Sequence, residues 1–258
     1  MNNIIVASSR GKKLTSLKDE YTELYYKGGG KFHHLTSEAL RLIKGRQDLH
    51  DKTYVYFVAG LPDVTRKINR DYFMNGNLRH YEEVIFKEEP TSAANRVIEA
   101  IQRAETTIKQ HNAIPVFSTI IPCTLDIWNH HRLNTHVTTH LLHFSDYKHM
   151  QENLHTTIHL INQRIHVINS HNNVITPRIS KTVTYKRGGH WRYRYGRLWD
   201  GTHATDKLNI KICEILKLAI EKNSSKYFEN SHIRPDILSD TESSDSDSDR
   251  KRKRKWRY

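Results

Sequence analysis

Apolar positions recur along this chain with two different spacings, and the alternation between them sketches a fold. Asn3 to Ser9 (Asn-Ile-Ile-Val-Ala-Ser-Ser) is a short β-branched run ending in small polar residues, the pattern of a buried strand feeding a turn. Leu14, Leu17, Tyr21, Leu24 and Tyr25 follow at helical spacing, which predicts a helix over 10–26 that stops at Gly28-Gly29-Gly30. A triple glycine permits close backbone approach or dihedrals closed to other residues, and serves equally as a plain linker. A second helix is predicted over 32–44, with Leu35, Ala39, Leu42 and Ile43 on one face. Thr53 to Ala59 is the strongest strand signal, and it closes at Gly60-Leu61-Pro62-Asp63, a loop by composition. Residues 66–90 carry no single period, and 79–87 fits a strand or a charged helix. A helix over 92–111 and a buried strand over 113–121, closed by Pro122, come next. Residues 124–149 are His-rich and read as an insertion. A long helix over 151–169, a short fourth strand at 174–177 and a last helix over 207–222 complete the pattern.

Buried strands alternating with amphipathic helices predict an α/β fold, a three-layer sandwich with a mostly parallel central sheet of flavodoxin-like type. Ligands of such sheets bind beyond the carboxyl ends of the strands, where Ser9, Gly60 and Pro122 lie. From about residue 223 the composition shifts to Ser, Asp, Lys and Arg, which bury too little apolar area to offset ordering entropy. The expected organisation is therefore one domain over 1–222 and a disordered tail over 223–258. Within the tail, Ser239–Asp249 is acidic and serine-rich, suited to acidophilic kinases. Arg250–Lys255 has the composition of a nuclear localisation signal for an import receptor, so nuclear or mixed nuclear and cytoplasmic residence is expected.

Composition narrows the function classes. No apolar run approaches the roughly 18 residues of a membrane span, and Met1-Asn2-Asn3 leads straight into the first strand without a signal-peptide pattern. Cys123 and Cys213 provide neither a disulfide framework nor metal-ligand spacing, which fits a reducing compartment. A net charge of +13 points to polyanions, nucleic acid first, while an unspecialised basic surface fits it too. The cations concentrate where Lys186, Arg187, Arg192 and Arg194 interleave with Tyr185, Trp191 and Tyr193, a composition suited to phosphate neutralisation and base stacking. Alternation over 191–195 supports a β-hairpin with Trp191 and Tyr193 inward, and the segment is expected to border the site mouth. His136 with His140, and His155 with His159, have the spacing of a shared helical face, but no Cys or Glu-x-x-His pattern completes a metal site. No metal or other cofactor is predicted.

The chemistry-bearing stretch is Leu198-Trp199-Asp200-Gly201-Thr202-His203. An Asp and a His three residues apart, on a Gly turn that opens a helix, place a carboxylate beside an imidazole whose other nitrogen then acts as general base. As a helix cap, Asp200 or Thr202 would instead bond the first-turn amides. Ser9, after the first strand, reads as a nucleophile or as part of a polar turn.

In block order, residues 3–221 resemble the SGNH (GDSL-type) hydrolases. That family's first strand ends in Gly-Asp-Ser; here it ends in Ala7-Ser8-Ser9, with Leu14 five positions after Ser9 in place of the family's apolar residue. Gly29 fits the second block, with Gly28 and Gly30 as alternatives. Gly60-Leu61-Pro62-Asp63 matches the Gly-x-Asn-Asp block except at the Asn, Asn162 resembles the Asn of the family's long helix, and Asp200 and His203 match its final Asp-x-x-His. The resemblance implies Ser9 as nucleophile, His203 as base, Asp200 as its orienting acid, and the amides of Ser9 and Gly29 as oxyanion donors, with an ester-type small molecule or glycan as substrate. Pro62, lacking both a side-chain donor and an N–H, removes one oxyanion contact, a loss on the order of 100- to 1000-fold in turnover. Two functions follow as expectations. One is a weak esterase. The other is a catalytically lapsed SGNH fold, of viral or mobile-element origin, that binds nucleic acid or protein in the nucleus.

Overall fold

The computed structural model describes residues 2–45, 52–74, 76–132 and 144–232. Its centre is a four-stranded parallel sheet in the order β2-β1-β3-β6, formed by β1 (Asn2–Ala7), β2 (Thr22–Tyr26), β3 (Thr53–Val58) and β6 (Ala113–Phe117). Side-chain alternation along the strands divides the core. Ile4, Val6, Val55, Phe57 and Phe117 pack under α1 (Phe32–Lys44), α3 (Pro90–Lys109) and α5 (Phe144–His171). Ile5, Ala7, Tyr54, Tyr56, Val58 and Val116 meet α6 (Asp206–His232) on the other face. Both faces of β1, β3 and β6 are buried, which is why those strands read as continuous apolar runs, whereas the edge strand β2 is half-exposed. The α/β sandwich expected from the sequence is the fold observed.

Several local expectations are corrected. Residues 10–26 do not form one helix. Two 3-10 turns (Ser9–Lys13 and Thr15–Leu17) put Leu14 and Leu17 into the core, and Thr22–Tyr26 is an edge strand paired with β1. Three- and fourfold spacing of Leu14, Leu17, Tyr21 and Leu24 satisfied a helical template, yet pairing alongside β1 decided the outcome. Residues 174–177 are not a strand, and the fourth strand of the sheet is Thr22–Tyr26 instead. The Gly60 turn continues into a single helical turn, α2 (Leu61–Val64). Residues 79–87 belong largely to β5 (Asn77–Ile85), which forms an antiparallel ribbon with β4 (Arg66–Met74). The basic aromatic segment is a hairpin of β7 (Thr184–Arg187) and β8 (His190–Tyr193), closed at Gly188-Gly189, both at positive φ as a two-residue hairpin turn requires. Between them, α4 (Leu125–Arg132) opens the His-rich stretch.

The domain also extends past residue 222. The last helix runs to His232, and Asn223 is buried, with its amide oxygen accepting from the Ile175 N–H and its NH2 donating to Tyr56 Oη. Residue composition hid this because one buried Asn anchors a turn that is otherwise polar. The acidic 239–249 and basic 250–255 blocks, and His136, His140 and His143, lie outside the described residues. Among the described residues no helix is long and apolar enough to cross a membrane.

Two side-chain amides on α5 fix what lies beyond β6. Asn169 accepts from the Phe117 N–H and donates to the Phe117 carbonyl, and Asn162, two turns earlier, does the same to Ile120. Each amide satisfies both backbone groups of one residue at an open edge, where an unpaired group would cost about 1–3 kcal/mol. The segment leading from the sheet to the site is thereby held in place.

Candidate active site

Asp200 and His203 lie side by side on the turn before α6. The His203 ring Nδ1 is 2.6 Å from Asp200 Oδ2, while Asp200 Oδ1 accepts the amides of Thr202 (2.9 Å) and His203 (2.6 Å). Burial of Asp200 favours its neutral form, but the bonds from the His203 ring and from the two amides outweigh this and hold the carboxyl at about 2. An ionised carboxylate can only accept, so Nδ1 carries the proton and Nε2 is the basic nitrogen. The same carboxylate thus holds the turn amides and the His203 ring together; the amides it accepts lie ahead of α6 and not in its first turn. Gly201 makes the turn possible. Its φ is +79°, and a Cβ there would sit 2.8 Å from the Thr124 hydroxyl and the Trp128 amide. Its carbonyl accepts from Thr124 N–H at 2.9 Å, tying the turn to the start of α4.

Ser9 begins the 3-10 turn that leaves β1. Gly11 lets this turn fold back, because a Cβ at Gly11 would lie 2.5 Å from the Cβ atoms of Ala7 and Tyr26. Ser9 and His203 line the same cavity of about 700 Å³, together with Gly28, Gly29, Pro62, Thr202 and an apolar wall that includes Val58, Leu61, Ile120 and Ile121. They also share the wall of a neighbouring depression with Trp199. Trp199 is 57% exposed and its ring stacks on His203 at 6.0 Å, covering one face of the imidazole. Among the described residues no hydrogen bond joins Ser9 to His203, and neither the Ser9 amide nor the Gly29 amide has an acceptor.

The turn at Gly60–Asp63 presents Pro62, which has no donor, to the cavity. Gly60 has φ +115°, and a Cβ there would stand 2.4 Å from Ile120 Cδ1. Pro62 sits in the first turn of α2, where a missing N–H costs the backbone nothing. Asp63 is buried, and its carboxylate accepts the Phe32 N–H at 3.2 and 3.3 Å, so it pins the loop that carries Gly28–Lys31. Burial pushes the Asp63 carboxyl up to about 6, against the pull of the Phe32 amide, Lys31 and Arg96. Sequence spacing located this block but not the role of Asp63, which depends on a partner 31 residues earlier.

The remaining predicted residues lie elsewhere. Lys186, Arg187, Arg192 and Arg194 are exposed on the hairpin, where the Arg194 guanidinium lies 4.6 Å above the Tyr185 ring. None of them lines the cavity; of 185–199 only Trp199 borders a wall shared with Ser9 and His203. The hairpin instead packs on α5. His155 stacks on Tyr193 at 4.1 Å and its Nε2 meets the Tyr195 hydroxyl, while Gln151 donates to the Cys123 carbonyl. Burial lowers the His155 ring to about 4, so it is neutral and held as a packing group. Among the described residues no three His, Cys, Asp or Glu side chains converge as a metal site would need.

No protein-family model matches the sequence, and no curated protein sequence matches it. Solved structures do. A GDSL-like lipase from Bacteroides thetaiotaomicron superposes with a TM-score of 0.52 at 12% identity, covering 86% of this chain and 88% of that one. A member of the lipolytic G-D-S-L family from Veillonella parvula gives 0.50 at 8% identity, covering 86% and 99%. At such identity the likeness shows a shared fold.

Proposed function

We propose that this chain, which has the fold of the SGNH (GDSL-type) hydrolases, is a slow serine ester hydrolase. The observation that carries this reading is the clamp of Asp200 on His203 at the wall of a cavity that Ser9 also lines. As substrate fills the cavity, Ser9 Oγ comes within reach of His203 Nε2, a contact that apo sites often leave open. Ser9 attacks the acyl carbonyl while Nε2 takes its proton. The amides of Ser9 and Gly29 receive the charge on the carbonyl oxygen, and the imidazolium is stabilised by Asp200. His203 then protonates the departing alkoxide, and a water activated by the same nitrogen releases the acid. Two oxyanion donors in place of three make the turnover slow.

The test is hydrolysis of short-chain 4-nitrophenyl esters by the purified chain and by Ser9→Ala. Loss of at least about 1000-fold in Ser9→Ala is expected; equal rates would remove the catalytic claim. A second reading, a lapsed hydrolase fold that binds nucleic acid, draws on Pro62 and on the exposed cations of the hairpin. On that reading binding weakens steeply with salt and with neutralisation of Lys186, Arg187, Arg192 and Arg194.

A further inference from the structure

We infer that the ligand of this cavity is an anionic amphiphile, an apolar chain ending near a carboxylate or phosphate. The inference rests on the hydrolase reading only in making an ester of such a molecule the substrate. The deep wall is apolar, built from Val58, Ala59, Leu61, Ile120, Ile121 and Ile179. Its volume of about 700 Å³ falls within the range of small-molecule sites.

The rim has one sign of charge. Lys31, Arg66 and Lys67 line the cavity, and Lys12 and Lys13 line the depression that shares Ser9 and His203 with it. No Asp or Glu lines either wall. Among the described residues neither Lys12 nor Lys31 is in a salt bridge, though the Lys31 charge acts on the buried Asp63 carboxyl. Arg66 meets Glu88 at 3.5 Å, Lys67 meets Glu82 at 3.0 Å and Lys13 meets Asp206 at 3.1 Å, in each case through a cation whose side chain is more than half exposed. Exposed pairs of this kind are worth about 0–1 kcal/mol and yield to a ligand anion. The buried carboxylate nearest the loop, Asp63, is taken up by the Phe32 amide and does not line the cavity. A cleft with low-dielectric walls and a rim of one sign concentrates the opposite charge at its mouth. The apolar wall then holds the chain and leaves the anion at the rim.

The probes are decanoate, decyl phosphate and decyltrimethylammonium, titrated calorimetrically into the full chain carrying Ser9→Ala, so that binding is read without turnover. At low salt the anionic probes are expected to bind at least tenfold more tightly than the cationic one. In Lys31→Glu and in Lys31→Glu/Lys67→Glu that preference falls at least fivefold, with the far-ultraviolet spectrum unchanged. The carboxylate and phosphate arms identify the preferred head group. Equal affinity for anionic and cationic probes, or a preference untouched by both variants, overturns the inference. Anion-selective binding by a chain that hydrolyses no ester sustains the anion site and removes the hydrolase reading. Hydrolysis without charge preference in binding does the reverse.

Discussion

Two turns border the cavity and are built differently. In one, Asp200 accepts the His203 ring and amide behind the lining residues Thr202 and His203, and the turn is locked to α4 through Gly201 and Thr124. In the other, Gly60 at positive φ and Asp63 through the Phe32 N–H hold a turn whose lining residue, Pro62, has neither an N–H nor a side-chain donor to offer. The left-handed Gly60 and the bond from Phe32 to Asp63 hold the loop whether or not a side chain reaches the pocket. Shape and chemistry are therefore separable here.

That contrast is open to measurement. The largest effect is expected at the Asp200–His203 turn. Asp200→Asn presents an NH2 to Nδ1 and favours the tautomer with the proton on Nε2, so kcat for a 4-nitrophenyl ester should fall about 1,000- to 10,000-fold. A loss below tenfold would mean that the pair serves only to hold the turn. At the Pro62 turn the effect should run the other way: Pro62→Asn supplies a side-chain donor, and kcat should rise about 100-fold with little change in KM. No gain would show that this turn does not face the carbonyl oxygen.

The smallest effect concerns stability. Burial raises the Asp63 carboxyl from its ordinary value to about 6, so between about pH 4 and pH 6 the folded chain holds a proton that the unfolded chain has released. This contribution to stability is greatest in acid and is lost as pH rises through 6, by at most about 3 kcal/mol. Asp63→Asn keeps an acceptor for the Phe32 N–H and should flatten that part of the stability curve, read by urea unfolding at pH 4.5 and 7. An unchanged slope would place the wall's rigidity elsewhere.

How far the sequence reveals this molecule depends on whether the deciding interaction is local. Runs such as Ile4–Ala7 and Tyr54–Val58 announce buried strands because both faces of the sheet are covered, and Asp200, Gly201 and His203 announce their turn because its hydrogen bonds span three residues. Ser9, His203, Gly29 and Pro62 were all legible as one cavity's residues through the order of the blocks, and the structure does gather them. Thr22–Tyr26 was not legible as a strand, since only its seat beside β1 distinguishes it from a helical repeat. Nor was the helix beyond residue 222, held by Asn223 against Tyr56 from the other end of the domain.

The sequence by itself determined the layered α/β fold and the hydrogen-bonded Asp200–His203 turn, because periodic burial and short-range hydrogen bonds are written into neighbouring residues. Only the tertiary structure decided that Asp63 would brace the Gly28–Lys31 loop, that the basic hairpin would turn to α5 rather than the cavity, and that Lys31, Arg66 and Lys67 would share its rim. Each of those outcomes depends on segments distant in the chain being brought together, and on which face of an element the packing leaves free.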